Sequence, residues 1–218
     1  MNCLPILLLV ALAACDSKAA QTYKLPIPKT DGNTSVEKAL ANRRSHRNFQ
    51  NKAISIDQLS QILWAAYGTT SPNGLRTAPS AGALYPLEIY AIIGNVEKIE
   101  PGVYKYIPEE HKIVRTINKD VRAELRKAAL GQEMIEKAPV SVFYSAIFSK
   151  ITDRYGERGS ERYVHMGLGH SAQNIYLQAE ALQLGTCAIG AFTDSKVKQV
   201  LQLPAEEEPL YIMPVGYY

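Results

Sequence analysis

The chain has no hydrophobic run of the roughly 20 residues that a helix needs to cross a bilayer; its longest, Leu4 to Ala14, stops well short. Cysteine is scarce. Cys3 and Cys15 lie at the very start and only Cys187 lies in the body, so no disulfide framework can hold the fold. Cys187 sits in the apolar run Gly185-Thr186-Cys187-Ala188-Ile189-Gly190, where a small buried hydrophobe is the expected role. Charge of one sign is also lacking: a net +3 is too weak a field to argue for nucleic acid as a partner. The histidines, His46, His111, His165 and His170, show no metal-ligand spacing. His165 and His170 are five apart, which misses the i, i+4 register of two ligands on one helical face. Tryptophan (1) and phenylalanine (4) are rare beside 13 tyrosines. Tyrosine joins a ring face to a polar tip, so the imbalance leans toward pockets and interfaces.

What remains is a chain of 218 residues, 46% hydrophobic and 21% charged, enough for one sizeable folded domain. No repeat or low-complexity segment interrupts it. The apolar run has the length of a secretory h-region, although no Lys or Arg precedes it. Leu12-Ala13-Ala14-Cys15 resembles a bacterial lipobox. That resemblance implies a signal peptide over 1–14, lipidation of Cys15, and a domain anchored to the extracytoplasmic face of a membrane without spanning it. Residues 15–33, with Pro26, Pro28 and the turn Asp31-Gly32-Asn33, read as a tether, which leaves 34–218 as the folded domain. Arg43-Arg44 follows the apolar run, so it is no twin-arginine export signal.

Thr34-Ser35-Val36-Glu37 has the form of a capping box and opens a helix to about Asn42. Ser55-Ile56-Asp57-Gln58 opens a second helix that Gly68 should stop at C′. Leu87 to Ile93 reads as a buried strand, and Gly102–Ile107 with Lys112–Ile117 as a hairpin turned by Pro108-Glu109-Glu110-His111. Asn118 should cap a helix over 119–130. Pro139 to Ile147 is a strand, and Arg158 to Leu184 is the longest helical pattern, ended by Gly185. A strand over 186–192, a helix over 194–201, an acidic solvated loop over 204–209 and a closing strand over 210–215 complete the order. This pattern gives an α+β domain with a mostly antiparallel sheet wrapped by helices.

Two stretches carry possible chemistry. Arg43-Arg44-Ser45-His46-Arg47 places three guanidinium forks and a hydroxyl within five residues, a set suited to phosphate; taken by itself, such a basic run reads first as a solvated turn. Thr77 to Pro86 is a small-residue loop whose backbone a flat ligand can approach. Gly167 and Gly169 break the long helical pattern at about 1 kcal/mol each relative to Ala, for tight packing or for close approach of a ring.

In order along the chain, Arg43-Arg44-Ser45-x-Arg47-x-Phe49, Pro79-Ser80-Ala81-Gly82-Ala83-Leu84-Tyr85-Pro86, Gly102-Val103-Tyr104-x-Tyr106, Gln173-Asn174 with Leu184 to Phe192, and Pro214-Val215-Gly216-Tyr217 resemble the nitroreductase-like flavoproteins, closest to their SagB-type dehydrogenase branch. The resemblance spans Val36 to Tyr218. It implies a nitroreductase-like α+β fold with a long helix at a homodimer interface. It further implies an FMN-dependent oxidoreductase acting on a small-molecule substrate by hydride transfer through flavin N5. Carried over by position, Arg43, Arg44, Ser45 and Arg47 would hold the FMN phosphate and ribityl chain, Ser80, Ala81, Gly82 and Leu84 would flank the rings, and Ile189, Gly190 and Ala191 would offer backbone near the reactive edge. The motif forces no catalytic acid, base or nucleophile, because the cofactor carries the chemistry. A plain NAD(P)H-dependent nitroreductase and a non-catalytic flavin-binding lipoprotein are the alternatives.

Overall fold

A computed structural model describes residues 20–218; the expected signal peptide and Cys15 lie outside the described residues. Seven strands form one antiparallel sheet: β1 (Thr22–Lys24), β2 (Leu87–Ile93), β3 (Gly102–Ile107), β4 (Lys112–Ile117), β5 (Val140–Ile147), β6 (Gly185–Thr186) and β7 (Glu207–Gly216), in the order β1-β4-β3-β2-β5-β7-β6. The helices are α1 (Val36–Asn42), α2 (Ile56–Tyr67), α3 (Arg122–Ala128), α4 (Met134–Lys137), α5 (Ser149–Tyr155), α6 (Val164–Ala181) and α7 (Asp194–Leu201). The α+β expectation holds, and β2, the β3–β4 hairpin and α7 fall on the expected residues.

Strand alternation sorts the core into two layers. Leu87, Ile89, Ala91 and Ile93 of β2, with Val142 and Tyr144 of β5, pack in one cluster with Leu59, Ile62 and Leu63 of α2 and Leu168, Ala172 and Ile175 of α6. The intervening residues Tyr90, Ile92 and Phe143 share the other cluster with Leu125, Ile135 and Val197 of α3, α4 and α7. At the meeting of α2, α6 and β5 the buried Ser171 hydroxyl donates to Ala66 O at 2.6 Å and lies 2.8 Å from the Tyr144 hydroxyl. This satisfied polar knot fixes how α6 crosses the sheet.

Several expectations are corrected or refined. The tether does not run free to residue 33: β1 pairs with β4, Leu25 is buried, and Ser60 Oγ donates to Pro26 O at 2.6 Å. The cap of α1 is Ser35, which accepts from Lys38 N; this shifts the box by one residue and leaves Lys38 where a Glu was expected. Gly68 ends α2 in extended rather than left-handed backbone, and its glycine is needed because a Cβ would lie 2.3 Å from the Trp64 ring. Asn118 caps nothing; α3 starts at Arg122, whose N–H bonds to Asp120. The long helix begins with a π turn over Gly159–Tyr163 and ends at Ala181, with Gln183 rather than Gly185 in the left-handed region at φ 57°. An unforeseen α5 precedes it. Finally, the strand after it is only Gly185–Thr186, while the acidic segment is the start of β7.

That last correction matters most. Glu207 is 1% exposed and accepts from Tyr90 Oη (2.9 Å), Ser145 Oγ (2.5 Å) and Lys105 Nζ (2.9 Å). Its neighbours Glu206 and Glu208 are exposed, as strand alternation requires. Burial pushes Lys105 down, but Glu207 and Glu88 beside it outweigh that and hold it above the ordinary lysine range. Tyr90 is pushed up by burial and by the Glu207 charge.

Candidate functional site

The basic stretch begins where α1 stops. Arg43 is the C-cap, its N–H bonded to Ala39 O, and its backbone turns extended. Arg44 folds back so that one guanidinium nitrogen donates to Ala41 O and Arg43 O at 3.0 and 2.8 Å, covering carbonyls that the helix end leaves open. Ser45 then makes a parallel bridge to Thr186, and His46 N–H donates to Thr186 O at 2.9 Å. This approach requires Gly185, where a Cβ would sit 2.7 Å from that of His46.

Tyr176 of α6 clips the junction together. Its hydroxyl accepts from Ala188 N at 2.8 Å, lies 3.1 Å from Ser45 Oγ, and its ring carries the Arg43 guanidinium 5.3 Å from the centroid. Arg47 is exposed, and its charge reaches the buried Cys187, whose thiol burial pushes up against it. No ion pair among the described residues uses Arg43, Arg44 or Arg47. The structure therefore brings Arg43, Ser45 and Arg47 to the Thr186–Ala188 segment, with no counter-charge on either guanidinium and Arg43 resting on the Tyr176 ring. Arg44 is partly engaged by its own helix end. Ile189 is buried and bridged to Ile212, whereas Gly190 and Ala191 are exposed. A cavity of about 370 Å³ opens beside Gly190, lined by His165, Gly169, Phe192, Asp194 and Tyr211.

The small-residue loop is held in unusual backbone. Gly82, Ala83 and Tyr85 have φ of 59°, 53° and 47°. Left-handed conformations at Ala83 and Tyr85 each cost about 1–3 kcal/mol, so the surroundings must enforce them. They do. Tyr85 N–H donates to Ser80 Oγ at 3.1 Å, its hydroxyl accepts from Arg76 N, and its ring lies against the Arg76 guanidinium and Tyr67. Gly82 and Ala83 remain exposed, Ala81 and Leu84 half-buried. A Cβ on Gly82 would lie 2.8 Å from Tyr155 Oη and 3.1 Å from an Arg154 nitrogen, so α5 flanks the loop. Sequence reasoning missed Tyr155, Arg154, Arg76 and Tyr176. The one available signal was that Tyr176 follows Gly169 by seven residues and so shares its face.

The two halves do not meet within one chain. Asn174 donates to Thr77 O at 3.2 Å, and a Cβ on Gly167 would lie 3.9 Å from Pro79 O. Those positions lie seven apart on one side of α6. Tyr176, which holds Ala188 and Ser45, and Gly169, which borders the cavity beside Gly190, lie seven apart on another. Residues two apart on a helix point about 200° away from each other, so Gly167 and Gly169 serve different sides. Along the same helix Met166, Gly169, His170 and Gln173 are exposed, Met166 at 55%.

The sheet order, the long central helix and the basic turn pinned to a small-residue segment define a nitroreductase-like protein. The chain belongs to the Nitroreductase family, whose model matches residues 40–217. It is 46% identical over 195 residues to a nitroreductase-family protein of Methanocaldococcus jannaschii, covering 89% of this chain and 96% of that one. It is 29% identical over 163 residues to the microcin B17-processing protein McbC of Escherichia coli. This match covers 72% of the present chain and 60% of McbC. A nitroreductase-family crystal structure from Ralstonia eutropha superposes with a TM-score of 0.79 at 25% identity, over 90% of this chain and 89% of that one.

Proposed function

We propose that this nitroreductase-family oxidoreductase is an FMN-dependent enzyme of the SagB type, working as a homodimer on a small-molecule substrate. The observation that carries the reading is the Tyr176 clip, which holds Ser45 and the Arg43 guanidinium against the Thr186–Ala188 segment, two residues before the exposed backbone of Gly190 and Ala191, with no counter-ion on Arg43 or Arg47. These groups fit FMN: forks for a dianionic phosphate at one end, and small residues that let a flat ring lie close at the other. When bound, FMN supplies hydride uptake and release at N5.

The protein's part is binding and orientation. Arg43 and Arg47 hold the phosphate, with Ser45 donating beside them and Arg44 stiffening the helix end. Ile189, Gly190 and Ala191 border the reactive edge. Ser80, Ala81, Gly82 and Leu84 cover the rings from a second copy of the chain, because within one copy they lie on another side of α6. The exposed α6 stripe of Met166, Gly169, His170 and Gln173 is the seam between copies. We further propose that Cys15 carries a lipid that holds the domain outside the cytoplasm. NAD(P)H is scarce there, so the substrate itself donates the hydride, and oxygen, a quinone or a protein takes the electrons.

The test is an absorption spectrum of the purified dimer under anaerobic conditions, before and after candidate donors. Flavin bands that bleach with a reduced organic substrate and not with NADH support the reading. Bleaching by NADH alone favours a plain NAD(P)H-dependent nitroreductase. No bleaching, with freely exchanging FMN, favours a carrier. Fatty-acid labelling lost in Cys15→Ser tests the anchor separately.

A further inference from the structure

The ladder between β2 and β3 runs only from Tyr90↔Lys105 to Ile93↔Gly102. Beyond Tyr90 the strands part: Leu87–Ile89 stay with β5 and Tyr106–Ile107 with β4. A cavity of about 160 Å³ occupies the fork, bordered by Tyr67, Arg76, Glu88, Tyr106, Glu109 and Lys150. That is room for roughly five waters, or for a ligand of a few heavy atoms. It lies apart from the Arg43–Arg47 turn and shares no residue with the cavity beside Gly190.

The polar groups around the fork are unevenly matched. Tyr67 is 1% exposed, and although the Leu87 N–H lies toward its oxygen, its hydroxyl proton finds no acceptor, and a buried hydroxyl that donates to nothing weakens a fold unless something fills the role. The Arg76 side chain is 13% exposed, lies 4.4 Å from the Tyr67 ring centroid and 4.6 Å from that of Tyr85, and bonds through one nitrogen to Glu109 at 2.7 Å. The acceptors, by contrast, are taken. Glu88 holds Lys150 on one oxygen and Lys105 on the other, and the Tyr106 hydroxyl lies 2.8 Å from His111 Nδ1. Donors are thus in surplus, which calls for a ligand rich in acceptors. Glu109 is 60% exposed on the β3–β4 turn, and such a surface ion pair is weak enough to be exchanged.

We propose that this fork binds a small carboxylate, gripped by the Tyr67 hydroxyl and the Arg76 guanidinium, in place of the Glu109 carboxylate that Arg76 now holds. The site also touches the strained loop. Arg76 N–H donates to the Tyr85 hydroxyl and its guanidinium lies on the Tyr85 ring, so exchange of its partner acts on the segment that carries Ser80 to Leu84. The inference does not depend on flavin binding.

The probe is sodium acetate, titrated against sodium chloride at equal ionic strength into the full chain, with and without FMN, and followed by thermal unfolding and amide NMR shifts. Acetate raises the midpoint beyond chloride and shifts amides near Tyr67 and Arg76. Tyr67→Phe, which keeps the ring, weakens acetate about tenfold, the effect of one lost hydrogen bond to a charged group. Glu109→Gln removes the competing charge and tightens acetate by roughly threefold or more. Three results would overturn the proposal: no gain over chloride; affinity unchanged in Tyr67→Phe; or affinity lost in Arg47→Ala instead, which would place the acetate on the basic turn.

Discussion

Two charged clusters in this molecule are built to opposite ends. Around Glu207 every charge is answered: the carboxylate takes Tyr90, Ser145 and Lys105, and Lys105 also takes Glu88. Around Arg43 and Arg47 no counter-charge answers, although the segment that presents them is tied down through Thr186 and Tyr176, and Arg43 rests on the Tyr176 ring. A saturated buried network gives the sheet its register and has no bonding capacity left for a ligand. Cations on a rigid mount without counter-ions keep theirs for something outside the chain. The contrast separates structure from function better than charge or burial alone, and it can be attacked from either side.

The largest effect is expected at Glu207. Glu207→Ala strands the hydroxyls of Tyr90 and Ser145 and removes one of two counter-charges of Lys105. Breaking a buried pair in this way costs about 3–5 kcal/mol, read as a shift in the denaturant midpoint. FMN affinity of the remaining folded protein should not change. If Glu207→Ala abolished flavin binding in protein that is still fully folded, the division between the two clusters would fail.

The converse is Arg43→Ala with Arg47→Ala. Each removes a charged donor worth about 1.5–3 kcal/mol toward a phosphate. The pair should weaken FMN by about 100-fold or more while lowering stability by no more than about 1 kcal/mol, since neither makes an ion pair here and Arg43 gives up only its contact with the Tyr176 ring. Fluorescence titration of the flavin measures the first and urea unfolding the second. Arg44→Ala is the internal control: its bonds to Ala41 O and Arg43 O make it the arginine with a small stability cost and a lesser effect on affinity.

Much of this architecture was legible from the residues. β2 and the hairpin have strong alternation or dense branched side chains, and α7 has clear amphipathic spacing. The Nitroreductase family was legible from five separated motifs in order. What failed shares a cause: a local pattern whose meaning depends on a distant partner. Three glutamates in a row look uniformly solvated, and only the Tyr90–Ser145 niche across the sheet shows that the middle one points inward. Gly185 reads as the stop of the long helix, but what it answers is the crowding of His46. The site's division across two sides of α6 was likewise hidden, because linear order places Gly167 beside Gly169 without saying that a helix turns them apart.

His111 sharpens the comparison from between the two extremes. It is answered at neutral pH: Nδ1 lies 2.8 Å from the Tyr106 hydroxyl, and Nε2 lies 2.8 Å from Ser60 Oγ and 2.9 Å from Pro26 O. Burial pushes its pKa below the ordinary 6.5, opposed by the bond to Pro26. A folded pKa below the unfolded one means that the unfolded chain binds the proton more readily, so stability is full above about pH 6.5 and falls as pH drops toward the folded value. The loss should be local, because His111 and Ser60 hold the segment that carries β1. The protection of the amides of residues 22–29, taken as exchange corrected for its intrinsic slowing in acid, is therefore expected to fall on acidification from pH 7.5 to 5.5, before protection in β5 or α6 changes. His111→Asn tolerates the left-handed backbone at φ 47° but cannot titrate, so it should remove the pH dependence while leaving exchange in this segment faster at every pH. If the wild-type segment kept its protection down to pH 5.5, the buried imidazole would belong with Glu207, among groups whose partners hold them in one state throughout.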